Sequence, residues 1–193
     1  MKHANRFFVL VAISLMTSVP SHAVSNVVPV VEGSITFYPE SGAYFEASAY
    51  YMQAICQTTV LGLEYRRGFV EFIIPDLPRG MKQVTLVFGY ASAQSPPPPN
   101  PVALNELSYY PADLVLSLAD YDQVTTPITT FESDWNFDSQ VFRFDVTDAV
   151  QMYKGKAIGF RIKMANDPLR CVETGRDYAL PHLEILPGKA KSH

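Results

Sequence analysis

Two pairs of adjacent tyrosines are the side chains whose type and spacing best suit ligand binding. Tyr50 and Tyr51 lie in one predicted strand, and Tyr109 and Tyr110 lie in another. Successive side chains of a strand point to opposite faces, so one ring of each pair can be exposed. A tyrosine ring offers an apolar face and a hydroxyl, which suits sugars and protein surfaces alike. The alternative is core packing with a single edge tyrosine.

Two arginines and the single tryptophan are the other candidate binding residues. We expect Arg66 or Arg67 beside the stacking rings, because a guanidinium presents five donors that suit hydroxyls and uronic carboxylates. Trp135 stands in the acidic segment FESDWNFDS, residues 131–139. It is a candidate sugar platform, and the alternative is a solvated turn whose tryptophan closes the core edge. Calcium would suit this acidic segment, but the EF-hand spacing is missing, so we predict no cofactor.

The sequence gives little support to catalysis. Outside the N-terminal 23 residues the histidines are His182 and His193. A Ser-His-Asp arrangement would need His182, which we expect to be an outward residue of the last strand. Zinc needs three or four ligands, and no local cluster supplies them. Carboxylates are numerous, so a small hydrolase or lyase with a paired acid and base stays an alternative.

The first 23 residues predict export. Lys2 and Arg6 give a positive start before an apolar run, FFVLVAISLM, and Ser21-His22-Ala23 places small residues at a cleavage site. The run is shorter than the roughly 20 residues that span a bilayer. We therefore expect residues 1–23 to be a signal peptide and residues 24–193 a single domain of a bacterial periplasmic or extracellular protein. An uncleaved N-terminal anchor is the alternative.

The net charge and the two cysteines limit the partners and the cysteine chemistry that the protein can have. The formal net charge is −4 and becomes more negative when the leader is removed, so nucleic acid is a poor partner. The two cysteines, Cys56 and Cys171, are too far apart for a CxxC metal or redox motif. In an oxidising compartment we expect them to form a disulfide. Two separate buried thiols are the alternative.

The pattern of apolar residues predicts an all-β fold. Short runs rich in aromatic and β-branched residues recur between turn signals, as in sandwiches and barrels. Phe142, Phe144 and Val146 alternate with polar residues, and Ala157–Met164 repeats this period of two. Leu114–Leu118 is another predicted strand. We predict a single antiparallel β-sandwich of the jelly-roll kind.

One short helical turn interrupts the strands near residues 147–154. Thr147 is the predicted N-cap, and Asp148 in the first turn suits the positive end of the helix dipole. Val150 and Tyr153 share one face, and Gly155 suits the end of the helix. The turn is expected to close one end of the sandwich.

Two blocks of the sequence follow a shared pattern. Residues 62–88 give an arginine-glycine-aromatic strand, a proline turn and a second alternating strand. Residues 144–186 give an Asp-Val-Thr start, a helical turn, a glycine-apolar strand and a final strand after proline. The matching positions are Arg67, Gly68, Phe69, Phe72, Leu77, Val84, Leu86, Phe144, Asp145, Val146, Thr147, Val150, Gly159, Phe160, Pro181, His182, Leu183, Glu184 and Ile185.

Together these blocks resemble the DNRLRE-type secreted bacterial domains. That family is similar to jelly-roll carbohydrate-binding modules, and some members sit beside polysaccharide-degrading enzymes. The resemblance covers about residues 62–186 and implies a β-sandwich with a carbohydrate-related role.

Three functions are consistent with these features. The first is a non-catalytic binding or structural module for glycan or cell-envelope material. The second is a small secreted polysaccharide hydrolase or lyase. The third is a subunit of an extracellular assembly that pairs through strand edges. The first is our expectation, with no metal, no nucleic acid and no membrane-spanning segment, and with the oligomeric state left open.

Overall fold

The protein is an all-β, antiparallel structure, as the sequence predicts. The computed structural model describes residues 24–47, 51–77, 80–92, 102–134, 140–165, 167 and 174–188. The strands are β1 (Ser25–Val27), β2 (Val31–Tyr38), β3 (Ala43–Ala47), β4 (Met52–Thr59), β5 (Gly62–Ile73), β6 (Gln83–Ser92), β7 (Val102–Pro111), β8 (Thr126–Asp134), β9 (Val141–Asp145), β10 (Ala157–Met164) and β11 (Thr174–Leu186). A 3-10 helix (Leu118–Asp122) precedes β8, and one α-helix, α1 (Thr147–Met152), follows β9.

All eleven strands belong to one curled sheet. Its main path runs β8-β7-β10-β5-β4-β11-β6-β9, with β1 paired to β11, and β2 paired to both β3 and β5. A jelly-roll sandwich has two sheets, whereas hydrogen bonds here connect all these strands into one. The two-sheet arrangement therefore stays a prediction. The path divides at β5, whose N-terminal half pairs with β4 and whose C-terminal half pairs with β10.

The long strand β5 changes its inward face halfway along. Tyr65 packs inward with Cys56 in its first half, whereas Val70 and Phe72 enter the largest core cluster in its second half. The change occurs around Gly68, where a Cβ atom would lie only 2.7 Å from Met52 Cβ. Glycine thus permits the close approach at which β5 passes from one branch of the sheet to the other.

Aromatic residues join the two ends of the path across the core. Phe131 of β8 lies 5.1 Å from Phe142 and 4.9 Å from Phe144, both on β9, measured between ring centroids. Phe88 of β6 contacts the same group. Offset and tilted rings at these distances are the favourable geometry for aromatic packing. The sheet therefore curls until its terminal strands face each other.

Phe144 and Phe160 each stand at the centre of an alternating run, which predicts two core residues on neighbouring strands. Both do pack inward, but their strands are not neighbours. Phe160 is fully buried, and Phe144 packs against the same cluster from a partly buried position. β9 pairs with β6, whereas β10 lies between β5 and β7.

The helix lies where the sequence places it, but its start is built differently. Val150 is buried and Tyr153 packs against the core, as the helical periodicity predicts. Thr147 is not the N-cap. The Asp145 carboxylate accepts hydrogen bonds from the Thr147 amide (3.0 Å) and hydroxyl (2.5 Å), while Thr147 Oγ1 accepts one from Val84 N at 2.9 Å.

The predicted strand Leu114–Leu118 is wrong. This segment is irregular, Leu114 has a φ of +66°, and the chain continues into the 3-10 helix. Its side chains cover the outer face of the branch that contains β5, β10 and β7, where Tyr121 packs with Phe69 and Tyr110. An apolar run can thus cover a sheet without joining it.

Candidate functional site

The structure describes five of the seven sequence-predicted binding residues and does not bring these five together in one site. Tyr50 and Trp135 lie outside the described residues. Tyr51 precedes β4 and is 43% exposed, and Tyr109 is a half-buried residue of β7. Tyr110, the neighbour of Tyr109, points to the other face, as strand geometry requires.

Tyr110 is taken up by an internal contact. Its side chain is 1% exposed, and its hydroxyl donates a 2.9 Å hydrogen bond to Glu71 Oε1. The ring crosses β10 at Gly159, where a Cβ atom would lie 2.2 Å from the Tyr110 ring. Burial raises the pKa of both Tyr110 and Glu71. We therefore leave Tyr110 out of the candidate site.

Arg67 is likewise engaged inside the protein. Its guanidinium forms two hydrogen bonds with Asp167, at 2.7 and 3.3 Å, donates to the Tyr121 carbonyl, and lies 3.8 Å over the Tyr121 ring. Arg161, which the strand pattern places outward, is also buried and donates to the Gln123 carbonyl at 3.0 Å. The two arginines hold residues 114–123, the segment that covers the outer face of the sheet, against β5 and β10. They are therefore not free to contact a ligand.

Arg66 belongs to a polar network on the outer surface of β5 and β4. It pairs with the buried Glu64 carboxylate and donates to Gln53 Oε1 at 2.8 Å, and Gln53 in turn donates to Asp177 at 2.9 Å. Its side chain is partly exposed. The structure brings neither Arg66 nor Tyr51 into the cleft that contains Tyr109.

The strongest candidate site is this cleft, which we call the Tyr109 cleft. It measures about 470 Å³, within the roughly 300–1,000 Å³ of small-ligand sites. It opens where β7 and β8 stand against α1 and the chain before β6. Its lining residues are Lys82, Tyr109, Pro127, Ile128, Asp145, Val146, Thr147, Asp148, Ala149 and Met152.

One wall of the Tyr109 cleft is apolar. The Tyr109 ring is held by an edge-to-face contact with Tyr153, whose ring centroid lies 6.2 Å away. Ile128 and the exposed Met152 side chain extend the same apolar surface. A fixed aromatic ring with apolar neighbours can stack against the C–H face of a sugar.

The rim of the Tyr109 cleft is polar and carries more negative than positive charge. Lys82, Asp145 and Asp148 are all exposed lining residues. Asp145 is fixed by Thr147 and by Gln83 Nε2, which donates at 3.2 Å. These hydrogen bonds hold the pKa of Asp145 below its usual range, so it is ionised at neutral pH. The cleft therefore offers fixed acceptors beside one ammonium donor.

Sequence reasoning identified Tyr109 but not the role of the residues opposite it. The sequence indicates Asp145 as part of the family resemblance and Asp148 as a residue of the first helical turn. Neither pattern predicts that the two carboxylates lie near Tyr109 of β7. Lys82 lies 27 positions from Tyr109 along the chain and meets it through the curl of the sheet. The one indication of the site in the sequence is the pair of aspartates, Asp145 and Asp148, where the alternating strand β9 leads into α1.

Within the described residues, no group of three or more His, Cys, Asp or Glu side chains is placed to hold a metal ion. In the same part of the chain, no helix has the length and apolarity needed to cross a membrane.

Cys56 lies in β4 and is fully buried. Its partner across the ladder is Thr174, three positions after Cys171. Cys171 itself lies outside the described residues, so the bridge stays a prediction.

Comparison with known proteins adds no family. No family model matches the chain, and no curated protein is significantly similar to it. The resemblance to DNRLRE-type domains therefore stays a prediction that rests on the residues given above.

Proposed function

We propose that the protein is an exported, non-catalytic binding module whose Tyr109 cleft holds a sugar unit of a glycan or of the cell envelope. The observation that carries this proposal is a braced tyrosine ring facing charged hydrogen-bonding groups across a cleft of ligand size. Sugars present an apolar C–H face and a rim of hydroxyls, and this cleft offers a partner for each.

The charge of the rim selects among sugars. Asp145 and Asp148 outnumber Lys82, so the cleft repels a uronic carboxylate and attracts a neutral or amino sugar. The predicted arginine contact to uronic acids has no counterpart in the cleft, since Arg66 and Arg67 are engaged elsewhere. We therefore expect neutral and amino sugars to bind in preference to acidic ones.

The state of Asp145 limits the part that it could play in hydrolysis. A glycosidase needs one carboxylic acid whose pKa is raised so that it can donate a proton to the leaving group. The hydrogen bonds from Thr147 and Gln83 lower the pKa of Asp145 instead. Asp145 is thus suited to accept hydrogen bonds from hydroxyl or ammonium groups and is unsuited to act as the acid.

Binding should be tested by calorimetry against oligosaccharides built from neutral hexoses, amino sugars or uronic acids. Replacement Tyr109→Ala removes the stacking face and should weaken binding about threefold to tenfold, the range of an aromatic stacking contact. Tyr109→Phe keeps the ring and should retain most of the affinity.

Tyr51→Ala is the matched control, because Tyr51 is an exposed tyrosine that does not line the cleft. Loss of affinity in Tyr51→Ala but not in Tyr109→Ala would place the sugar elsewhere. Reducing-end release should be assayed in parallel. Sustained turnover that Asp145→Asn or Asp148→Asn abolishes would replace the binding module with a hydrolase.

A further inference from the structure

A second cleft lies between the N-terminal segment and β11, and it shares no lining residue with the Tyr109 cleft. We call it the Glu32 cleft. Its volume is about 380 Å³, and most of its lining surface is apolar. It sits where the chain crosses from β1, paired to β11, to β2, paired to β5. Its lining residues are Asn26, Val28, Pro29, Glu32, Leu180, Pro181 and His182.

Glu32 brings an unsatisfied carboxylate to this cleft. Its Oε1 atom is buried from solvent and has no hydrogen-bond partner among the residues that the structure describes. Burial raises the pKa of Glu32 to about 7. A buried acceptor without a donor is costly, so a ligand that donates a hydrogen bond there gains more than it would at a solvated carboxylate.

His182 also lines this cleft from β11, but both ring nitrogens are engaged on that strand. Nδ1 lies 3.0 Å from the Leu180 carbonyl, and Nε2 lies 3.6 Å from the Glu184 carboxylate. From the N-terminal segment, Asn26 adds an uncharged amide. Among the described residues that line the cleft there is no lysine or arginine, so Glu32 has no cationic partner there.

The backbone of β11 is shaped to form the apolar wall. The register between β11 and β6 shifts between Ala179 and His182, which marks a β-bulge. Within it Leu180 has a φ of +55° and its side chain is 81% exposed. Val28 faces the same cleft and is 71% exposed. Bulges and left-handed non-glycine residues concentrate at functional positions, and here both direct apolar surface towards the cleft.

We propose that the Glu32 cleft binds a small primary alkylammonium ion. Its N–H donors match the unpaired Glu32 carboxylate oxygen, and its positive charge complements the Glu32 carboxylate. Its alkyl chain lies along Val28, Pro29 and Leu180 and removes their exposed apolar surface from water. This site is separate from sugar binding and does not depend on it.

The test is an NMR titration of the isotopically labelled protein at pH 8, where Glu32 is ionised. The probes are n-pentylammonium and its uncharged analogue 1-pentanol. We expect saturable shifts at the amides of Asn26, Glu32 and His182 with n-pentylammonium. 1-Pentanol should bind about tenfold more weakly, as expected when a charge-assisted hydrogen bond is replaced by a neutral one. Equal affinity for the two probes, or no saturable shift, would overturn the proposal.

Two variants distinguish the effect of the Glu32 carboxylate on binding from the effect of the negative net charge of the protein. Glu32→Gln should weaken n-pentylammonium binding about tenfold and leave 1-pentanol binding unchanged. Glu132→Gln removes an exposed carboxylate on β8, outside the cleft, and is the matched control. Unchanged n-pentylammonium affinity in Glu32→Gln, or an equal loss in both variants, would contradict the assignment. The comparison of the two probes on the unmodified protein decides the question even where Glu32→Gln fails to fold.

Discussion

At the scale of single residues, Arg67 shows how a side chain that suits a ligand can instead serve the fold. Its side chain is 8% exposed and forms a bidentate ion pair with Asp167, whose side chain is 1% exposed. A buried pair adds little net stability, but loss of one partner leaves an uncompensated buried charge. From the sequence alone, Arg67 is therefore interpreted as a binding residue, because its partner Asp167 lies 100 positions away along the chain.

We expect Arg67→Ala to lower the free energy of unfolding by about 3–5 kcal/mol, because Asp167 would stay buried without its partner. Arg67→Lys should retain part of the stability, since lysine keeps the charge and loses the bidentate geometry. Urea denaturation measures both changes.

The control for this prediction is Arg143→Ala. Arg143 also pairs with a carboxylate, Glu184 at 2.7 Å, but its side chain is 55% exposed. Exposed ion pairs contribute little to stability, so Arg143→Ala should change the free energy of unfolding much less than Arg67→Ala. A similar loss in both variants would show that the burial of Arg67 does not matter.

Glu32 should make stability depend on pH in the opposite sense to most carboxylates. Its pKa is raised from 4.5 to about 7 in the folded protein, so the folded state holds a proton that the unfolded state has released. The contribution to stability is complete below pH 4.5 and is lost as the pH rises to about 7. Because the carboxyl is only half buried, we expect about 1 kcal/mol after screening by solvent.

Thermal melts of the protein and of Glu32→Gln between pH 4.5 and 8 measure this contribution. The difference in stability between the two proteins should change by that amount across the interval, with Glu32→Gln gaining relative stability at high pH. Taking the difference cancels groups that both proteins share, including His182 and Glu184 in the same region. A constant difference would show that Glu32 ionises normally.

At the scale of elements, glycines fix how closely the strands and rings pack. Gly159 lies beneath the Tyr110 ring, so Gly159→Ala would force the ring or β10 to move. We expect a loss of about 1–3 kcal/mol in the free energy of unfolding, as for overpacked cores. Gly89→Ala is the matched strand control, since its new Cβ would meet its nearest neighbour at 3.8 Å. Equal losses in the two variants would mean that contact with the Tyr110 ring is not the reason why position 159 requires glycine.

Local patterns predict the elements that their own residues determine. The alternating burial of β9, the inward face of β10 and the packing of Val150 and Tyr153 against the core are confirmed, because each follows from the local period. The same reasoning places Leu114–Leu118 in a strand and Arg161 in solvent, and both are wrong. The segment of residues 114–123 and the buried Arg161 depend on each other across 40 positions, from Tyr121 to Arg161, and no local period records that dependence.

At the scale of the whole molecule, the curl of the sheet creates both clefts. Tyr109 and Lys82 come together because β8 and β9, the ends of the strand path, close over the same core. Val28 and Leu180 meet because the N-terminal segment bridges the two branches. A sequence pattern identifies an aromatic ring on a strand, but the residues opposite it follow from closure of the sheet.

The predicted Cys56–Cys171 bridge also belongs to this scale, since it would tie the buried strand β4 to the chain that enters β11. Cys171 comes three positions before Thr174, which pairs directly with Cys56. Closing a loop of about 115 residues should stabilise the fold by up to about 4–5 kcal/mol in the chain-entropy model. We expect no thiol labelling of the unfolded, unreduced protein and a lower urea midpoint after reduction.

The double variant Cys56→Ala with Cys171→Ala provides the control for that experiment. Its urea midpoint should be lower than that of the oxidised protein and should not respond to reductant, because no bridge is left to break. Two reactive thiols in the unreduced protein, or equal midpoints with and without reductant, would instead mean that β4 and β11 are held together by their backbone ladder and core packing alone.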